Sequence, residues 1–224
     1  PFKKDFLLEL SLLKVMVLKY FENTTPINLR TDGWTVFGIQ MYLVMQYVDQ
    51  FYPDQKLLGS FSKFWGLKKY SISQSSFNDQ YALLHKYSVM NNLDQSLDTP
   101  LDALTRYNAE ISNRYKAGLG LQMLDDYLGE EIVNSAISKY FINNTTTFDS
   151  AISFQSIIQS HAKDSLSWYF DEYVSTRNRV DYSISSVKSK ADSLKITIRN
   201  KTNTSIPIPI MGLINDSVIS KKWI

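Results

Sequence analysis

The chain has 224 residues, 44% of them hydrophobic, and its 24 Lys and Arg against 22 Asp and Glu leave a net charge of +2. That length supports one sizeable core and a small second unit, and scattered charge of this balance argues against nucleic acid or an anionic lipid surface as partner. Cysteine is absent, which excludes disulfides, thiol nucleophiles and cysteine-ligated metal together but leaves the compartment undecided.

The first predicted element is a helix over Phe6–Phe21, where Leu7, Leu8, Leu10, Leu12, Leu13, Val15, Met16, Val17 and Leu18 leave almost no polar face. Such loading predicts burial on nearly all sides. The run carries Glu9, Lys14 and Lys19 and is too short and too charged to span a membrane; no small-residue cleavage site follows it, so it is not a signal peptide either. A chain that opens in this way reads as part of a longer polypeptide.

Thr31 or Asp32 is placed to cap a second buried helix that runs to Tyr52 and stops before Pro53. Pro53 then opens a shorter third helix through Leu57, Leu58, Phe61, Phe64 and Trp65. Residues 71–79 read as a connection, 78–88 as helix and 91–100 as a loop turning at Pro100. A long helix is expected over 101–127, interrupted at Gly129, with Glu130 and Glu131 opening the next one at the positive end of its dipole. Residues 143–147 separate it from a helix over 148–161, and a last helix covers 165–174. From Tyr182 the period becomes two: Leu194, Ile196 and Ile198 alternate with Lys195, Thr197 and Arg199, the mark of a half-buried strand. Pro207 and Pro209 alternate with Ile206, Ile208 and Ile210, which confines that strand to an edge. Three or four strands without closing partners are expected to form an incomplete β-sandwich segment.

Ordered motifs run through these elements. Asp32–Leu43, DGWTVFGIQMYL, resembles the W-L-N-E-G-F-A-x-Y-L stretch of the aminopeptidase N family of gluzincin zinc metallopeptidases, with Trp34, Gly38, Tyr42 and Leu43 in register. YKAGLGLQML over Tyr115–Leu124 is similar to the family's Y-x-K-[GAP]-x-x-x-L-x-x-L helix, and Tyr127-Leu128-Gly129 to the L-G break after it. SLSWYFDEY over Ser165–Tyr173 resembles D-L-S-W-F-F-D-Q-W, and Asp181-Tyr182 the opening of the family's next, β-rich domain.

The resemblance implies a mainly α chain: a gluzincin aminopeptidase-type helical domain over 1–178, followed by the first strands of a β-sandwich domain over 179–224. It also implies where a zinc site would stand. The family's third zinc ligand falls at Phe37, the two His of H-E-x-x-H at Lys14 and Leu18, and the general-base Glu at Val15. The tyrosine that stabilises the family's transition state falls at Arg114, with Tyr115 one residue out of phase, about 100° around a helix. Zinc needs neutral imidazoles and a carboxylate, and an ammonium and hydrocarbon side chains supply neither, so no metal ligand and no catalytic residue is expected at these positions.

The remaining chemistry-bearing residues read as structural. His85 and His161 share no ligand spacing and read as surface or helix-end residues, and Asp125, Asp126, Glu130 and Glu131 as solvated charges at a helix break. N-x-[ST] sequons at Asn23, Asn143, Asn144, Asn200, Asn203 and Asn215 are weighed as chance matches in an Asn- and Ser-rich chain. Trp34, Gly38, Tyr42 and Tyr115 are the candidate cleft residues. Two functions follow: a zinc-less pseudopeptidase domain of a larger protein, binding peptide or protein, or part of a working zinc aminopeptidase whose ligands lie upstream or in another register, in which case zinc is the cofactor. The family resemblance allows an extracytoplasmic location.

Overall fold

The computed structural model describes residues 2–24, 27–65, 71–146, 153–190, 193–215 and 217–224. The chain is mainly helical, with two small two-stranded antiparallel sheets near its C-terminus. It divides into two compact units, Pro1–Asp164 and Ser165–Ile224.

In the first unit, α1 (Lys4–Thr24) and α2 (Leu29–Phe51) are the longest helices. Asn28 caps α2, its side-chain oxygen accepting from the Arg30 N–H at 3.0 Å, so the helix begins before the Thr31 or Asp32 expected from sequence. Its end at Tyr52, before Pro53, is as the proline dictates. The central cluster gathers Phe6 and Leu10 of α1, Met41, Val44, Met45 and Val48 of α2, and Phe77 and Tyr81 beyond. Phe6 meets the rings of Tyr52 and Phe77 edge-on, both at 4.9 Å.

The expected all-round burial of α1 does not hold. Leu7, Leu8, Leu12, Val15, Met16 and Tyr20 are exposed, while Phe6, Leu10 and Phe21 are buried. One face packs on α2; apolar loading alone does not supply a neighbour for the other.

The expected third helix is also absent. Residues 53–58 form turns and Gly59–Lys63 a 3-10 stretch, with Phe61, Phe64 and Trp65 exposed. Gly59 has φ +56, which stops a right-handed helix there.

Helix α3 (Asp79–Met90) follows, then a loop. The single long helix expected over 101–127 is broken into a 3-10 turn at Leu101–Ala103, α4 (Arg106–Glu110), a π-helical segment Ile111–Lys116 and α5 (Ala117–Leu128). Thr105 caps α4, its hydroxyl accepting from Asn108 N at 3.2 Å. Gly129, at φ +102, ends α5, and α6 (Glu130–Thr146) starts on the two glutamates. Ser153 caps α7 (Phe154–His161); the earlier residues of that predicted helix, 148–152, lie outside the described residues.

The close approach of α2 and α5 depends on glycine. A Cβ on Gly38 would lie 2.8 Å from the Ala117 Cβ, and one on Gly118 would lie 2.7 Å from the Met41 Cβ. Real Cβ atoms do not come that close, so two hydrogens hold this crossing together.

The second unit contains a π-helical segment, Trp168–Val174, where an ordinary helix was expected, and two hairpins. β1 (Tyr182–Lys190) pairs with β2 (Ser193–Asn200), and β3 (Pro209–Ile214) with β4 (Ser217–Trp223). Ile196 and Ile198 are half-buried as the alternation predicts, but Leu194 is exposed. Glu172 accepts from the Thr204 hydroxyl at 2.6 Å, from Ser205 N at 2.9 Å and from the Ser205 hydroxyl, which hold its carboxylate below the ordinary pKa.

Candidate functional site

Three of the positions singled out in the sequence come together between α1, α2 and the π segment. Gln40 of α2 joins two of them. Its Nε2 donates to the Lys14 carbonyl at 2.6 Å and its Oε1 accepts from Arg114 Nη1 at 2.7 Å. The Arg114 guanidinium carbon lies 4.4 Å above the centre of the Phe37 ring, a cation–π arrangement. Arg114 Nε also faces Glu110 Oε2, one turn back, at 3.2 Å; the pair is ionic, without hydrogen-bond alignment.

Lys14 is half-buried beside this group. Burial pulls its ammonium pKa down, the Arg114 charge pulls it further, and Glu110 opposes both. The Glu110 side chain that pairs with Arg114 is 62% exposed.

The π segment decides which neighbour of this site is used. Arg114 and Tyr115 are consecutive in it and diverge. Arg114 turns to Phe37 and Gln40, while the half-buried Tyr115 packs on Tyr81, ring centres 4.9 Å apart. Burial raises the Tyr115 pKa, with Glu110 adding to the shift and Arg114 opposing it. Phe37 and Arg114 are therefore brought together, with Lys14 joined through its backbone carbonyl; Val15 is exposed, and Leu18 is half-buried.

Of the candidate cleft residues, Gly38 sits in the α2–α5 crossing against Ala117. Tyr42 is fully buried, its hydroxyl accepting from Gln46 Nε2 at 2.7 Å and approaching Asn134 Oδ1 at 3.4 Å; burial first, then Asp125, push its pKa far up. Trp34 is half-buried.

Two structural readings change. His85 is neither a surface nor a helix-end residue: it lies within α3, mostly buried, and burial and Lys116 push its pKa down to about 4 against the opposing Asp94. Asp125 is half-buried beside Tyr42, and burial raises its pKa; it is not a freely solvated end charge. His161 does end α7, its Nδ1 2.8 Å from the Ile157 carbonyl. Among the sequons, the Asn200 side chain is engaged, donating to Thr204 O at 2.7 Å and to the Tyr182 hydroxyl at 3.2 Å. The side chains of Asn23 and Asn144 lie outside the described residues.

Sequence reasoning passed over Gln40 and Glu110. Gln40 had a legible signal, a lone amide between Ile39 and Met41 in an apolar helix, since a buried amide must find partners. Glu110 had none beyond its position one turn before Arg114.

The donor set does not fit zinc: an ammonium at Lys14 and hydrocarbon at Leu18 and Phe37 cannot ligate it. Among the described residues no three His, Cys, Asp or Glu side chains gather where they could hold a metal ion, and no helix is long and apolar enough to cross a membrane. No family model, no curated protein and no solved structure matches this chain.

Proposed function

We propose that the chain is an aminopeptidase-like domain that holds no zinc and binds peptide or protein without cleaving it. One observation carries the reading: Phe37 and Arg114, which the family resemblance assigns to a zinc ligand and the transition-state stabiliser, stack on each other, and Gln40 links Arg114 to the backbone carbonyl of Lys14, the position assigned to another zinc ligand. Residues 14, 37 and 114 are far apart in sequence, and chance register gives no reason for them to be linked. The chemistry at that place is no longer that of a hydrolase. An ammonium and a guanidinium repel a divalent cation, and Val15 offers no carboxylate to activate water. What remains is a positively charged recognition site on a helical scaffold.

Metal analysis after dialysis against zinc, together with turnover of chromogenic amino-acid amides, tests this. The expected result is less than stoichiometric zinc and no turnover. One zinc per chain with chelator-sensitive turnover would restore the working aminopeptidase. The register is tested by Lys14→His, Leu18→His and Phe37→Glu combined: zinc binding only to the folded triple variant should raise its melting temperature by mass action. A folded triple variant indifferent to zinc would remove the family reading.

A further inference from the structure

We propose that the outer face of α1 pairs with the same face of a second copy of this chain, the two helices running antiparallel and crossing at Leu12. This is independent of the peptide-binding reading, since it concerns the face of α1 opposite its core residues.

Helical phase defines the face. At about 100° per residue, Asp5, Leu8, Leu12, Val15 and Lys19 of α1 fall within about 80° of one another, on the side opposite the buried Phe6, Leu10 and Phe21. All five are exposed. The middle of this stripe is hydrocarbon and its two ends carry opposite charges; Lys4, also exposed, sits at its rim. On the other rim Met16 continues the stripe into an apolar cavity of about 470 Å³, which Tyr20, Leu43, Phe141 and Ile142 also line. Ile142 is 60% exposed, so the apolar surface extends from α1 onto α6.

The order of the charges selects the occupant. Asp5 and Lys19 each lie seven residues from Leu12, one before it and one after. A two-fold axis at Leu12 therefore sets Asp5 of each copy across from Lys19 of the other, Leu8 across from Met16, and Leu12 against itself. A parallel pair would set Asp5 on Asp5 and Lys19 on Lys19, and like charges so placed oppose association. A face that is its own complement under a two-fold axis is what an isologous dimer requires. From Asp5 to Lys19 the stripe is about 21 Å long and one helix wide, which puts the contact in the small, transient class of interfaces. Dissociation is then on the order of 10 µM or weaker, and at lower concentration α1 keeps the exposure seen in the single chain.

The 224-residue chain has no cysteine, so single-cysteine variants report which positions meet. Helix axes about 8–10 Å apart bring facing Cα atoms within disulfide range. Leu12→Cys should oxidise to a covalent dimer. Asp5→Cys, about 20 Å from its own counterpart in the antiparallel pair, should not, whereas Asp5→Cys mixed with Lys19→Cys should. Sedimentation equilibrium of the cysteine-free chain supplies the charge test. Asp5→Lys or Lys19→Asp alone should weaken the dimer about fivefold or more, the two combined should restore it, and Leu12→Asp should leave a monomer. Lys19→Asp lies outside the acidic first turn of α1, so it stays informative if Asp5→Lys unsettles the helix start. A monomer at every concentration would overturn the proposal. So would self-crosslinking of Asp5→Cys as fast as that of Leu12→Cys, the mark of a parallel pair or of random collision. A dimer indifferent to the charge swaps and to Leu12→Asp would place the interface elsewhere and overturn it too.

Discussion

Helices α1 and α2 look alike in sequence and end up in opposite circumstances. Both are long, and both are apolar around most of their circumference, yet α2 is buried at Thr35–Tyr42, Val44 and Met45, while α1 exposes Leu8, Leu12, Val15 and Met16. The difference lies in what can approach. α2 has Gly38 facing Ala117 and meets Gly118 at Met41, so another backbone can lie against it. Along Phe6–Phe21, α1 has no glycine or alanine, and only the face bearing Phe6, Leu10 and Phe21 is covered. Hydrophobic loading sets how much surface a helix would benefit from burying; small residues at a crossing help decide which face is buried.

The comparison breaks most visibly if α2 tolerates truncation. Ile39→Ala removes a fully buried branched side chain and should cost about 2–5 kcal/mol in urea unfolding, cavity included. A cost below ~1 kcal/mol would mean that α2 is not the centre of this core. Gly118→Ala tests the cause more directly. Its new Cβ would sit 2.7 Å from the Met41 Cβ, and overpacking of this kind typically costs about 1–3 kcal/mol. If it stabilised the protein through helix propensity instead, the crossing would not be as close as described.

The buried side of the comparison also carries titratable groups, and His85 gives them a pH signature. Its folded pKa, about 4, is below the ordinary 6.5, through burial and Lys116, with Asp94 opposing. Between those values the unfolded chain binds the extra proton, so this contribution is complete above pH 6.5 and lost as pH falls toward 4. From pH 7 to 5 the loss is about 2 kcal/mol. His85→Gln should flatten that part of the stability curve, measured as the difference between variant and parent at each pH, and a parallel pair of curves would show that His85 titrates normally.

What the sequence made legible follows from which signals are local. Pro53, Gly129 and the paired Glu130 and Glu131 act on their own backbone or helix end, and the boundaries they imply are present. The third helix failed because the left-handed conformation at Gly59 outweighed a favourable run of Leu and Phe. The π segment at Ile111–Lys116 was illegible, since one extra residue in a helical turn leaves no compositional trace, yet it sets Arg114 toward Phe37 and Tyr115 toward Tyr81. The candidate site was half legible: motif register pointed to Lys14, Phe37 and Arg114, but the bridge through Gln40 depends on α1 and the π segment both packing against α2, which no local pattern encodes.

The smallest expected effect is the sharpest test of the comparison. Leu12 and Val15 are each 56% exposed on α1, so truncating either removes little area that folding withdraws from water. Leu12→Ala should change stability by no more than about 0.5 kcal/mol, the range for surface positions, and alanine's better helix propensity offsets part even of that. Val15→Ala should be equally silent for the same reason, with the added loss of a β-branched residue from a helix. Both variants should also lower any concentration-dependent self-association, because an exposed apolar stripe of Leu8, Leu12, Val15 and Met16 is a ready contact surface. Urea melts at two protein concentrations measure both effects together. A cost of about 2 kcal/mol or more, at the level of a buried leucine, would mean that this face is covered in solution, and that α1 resembles α2 after all.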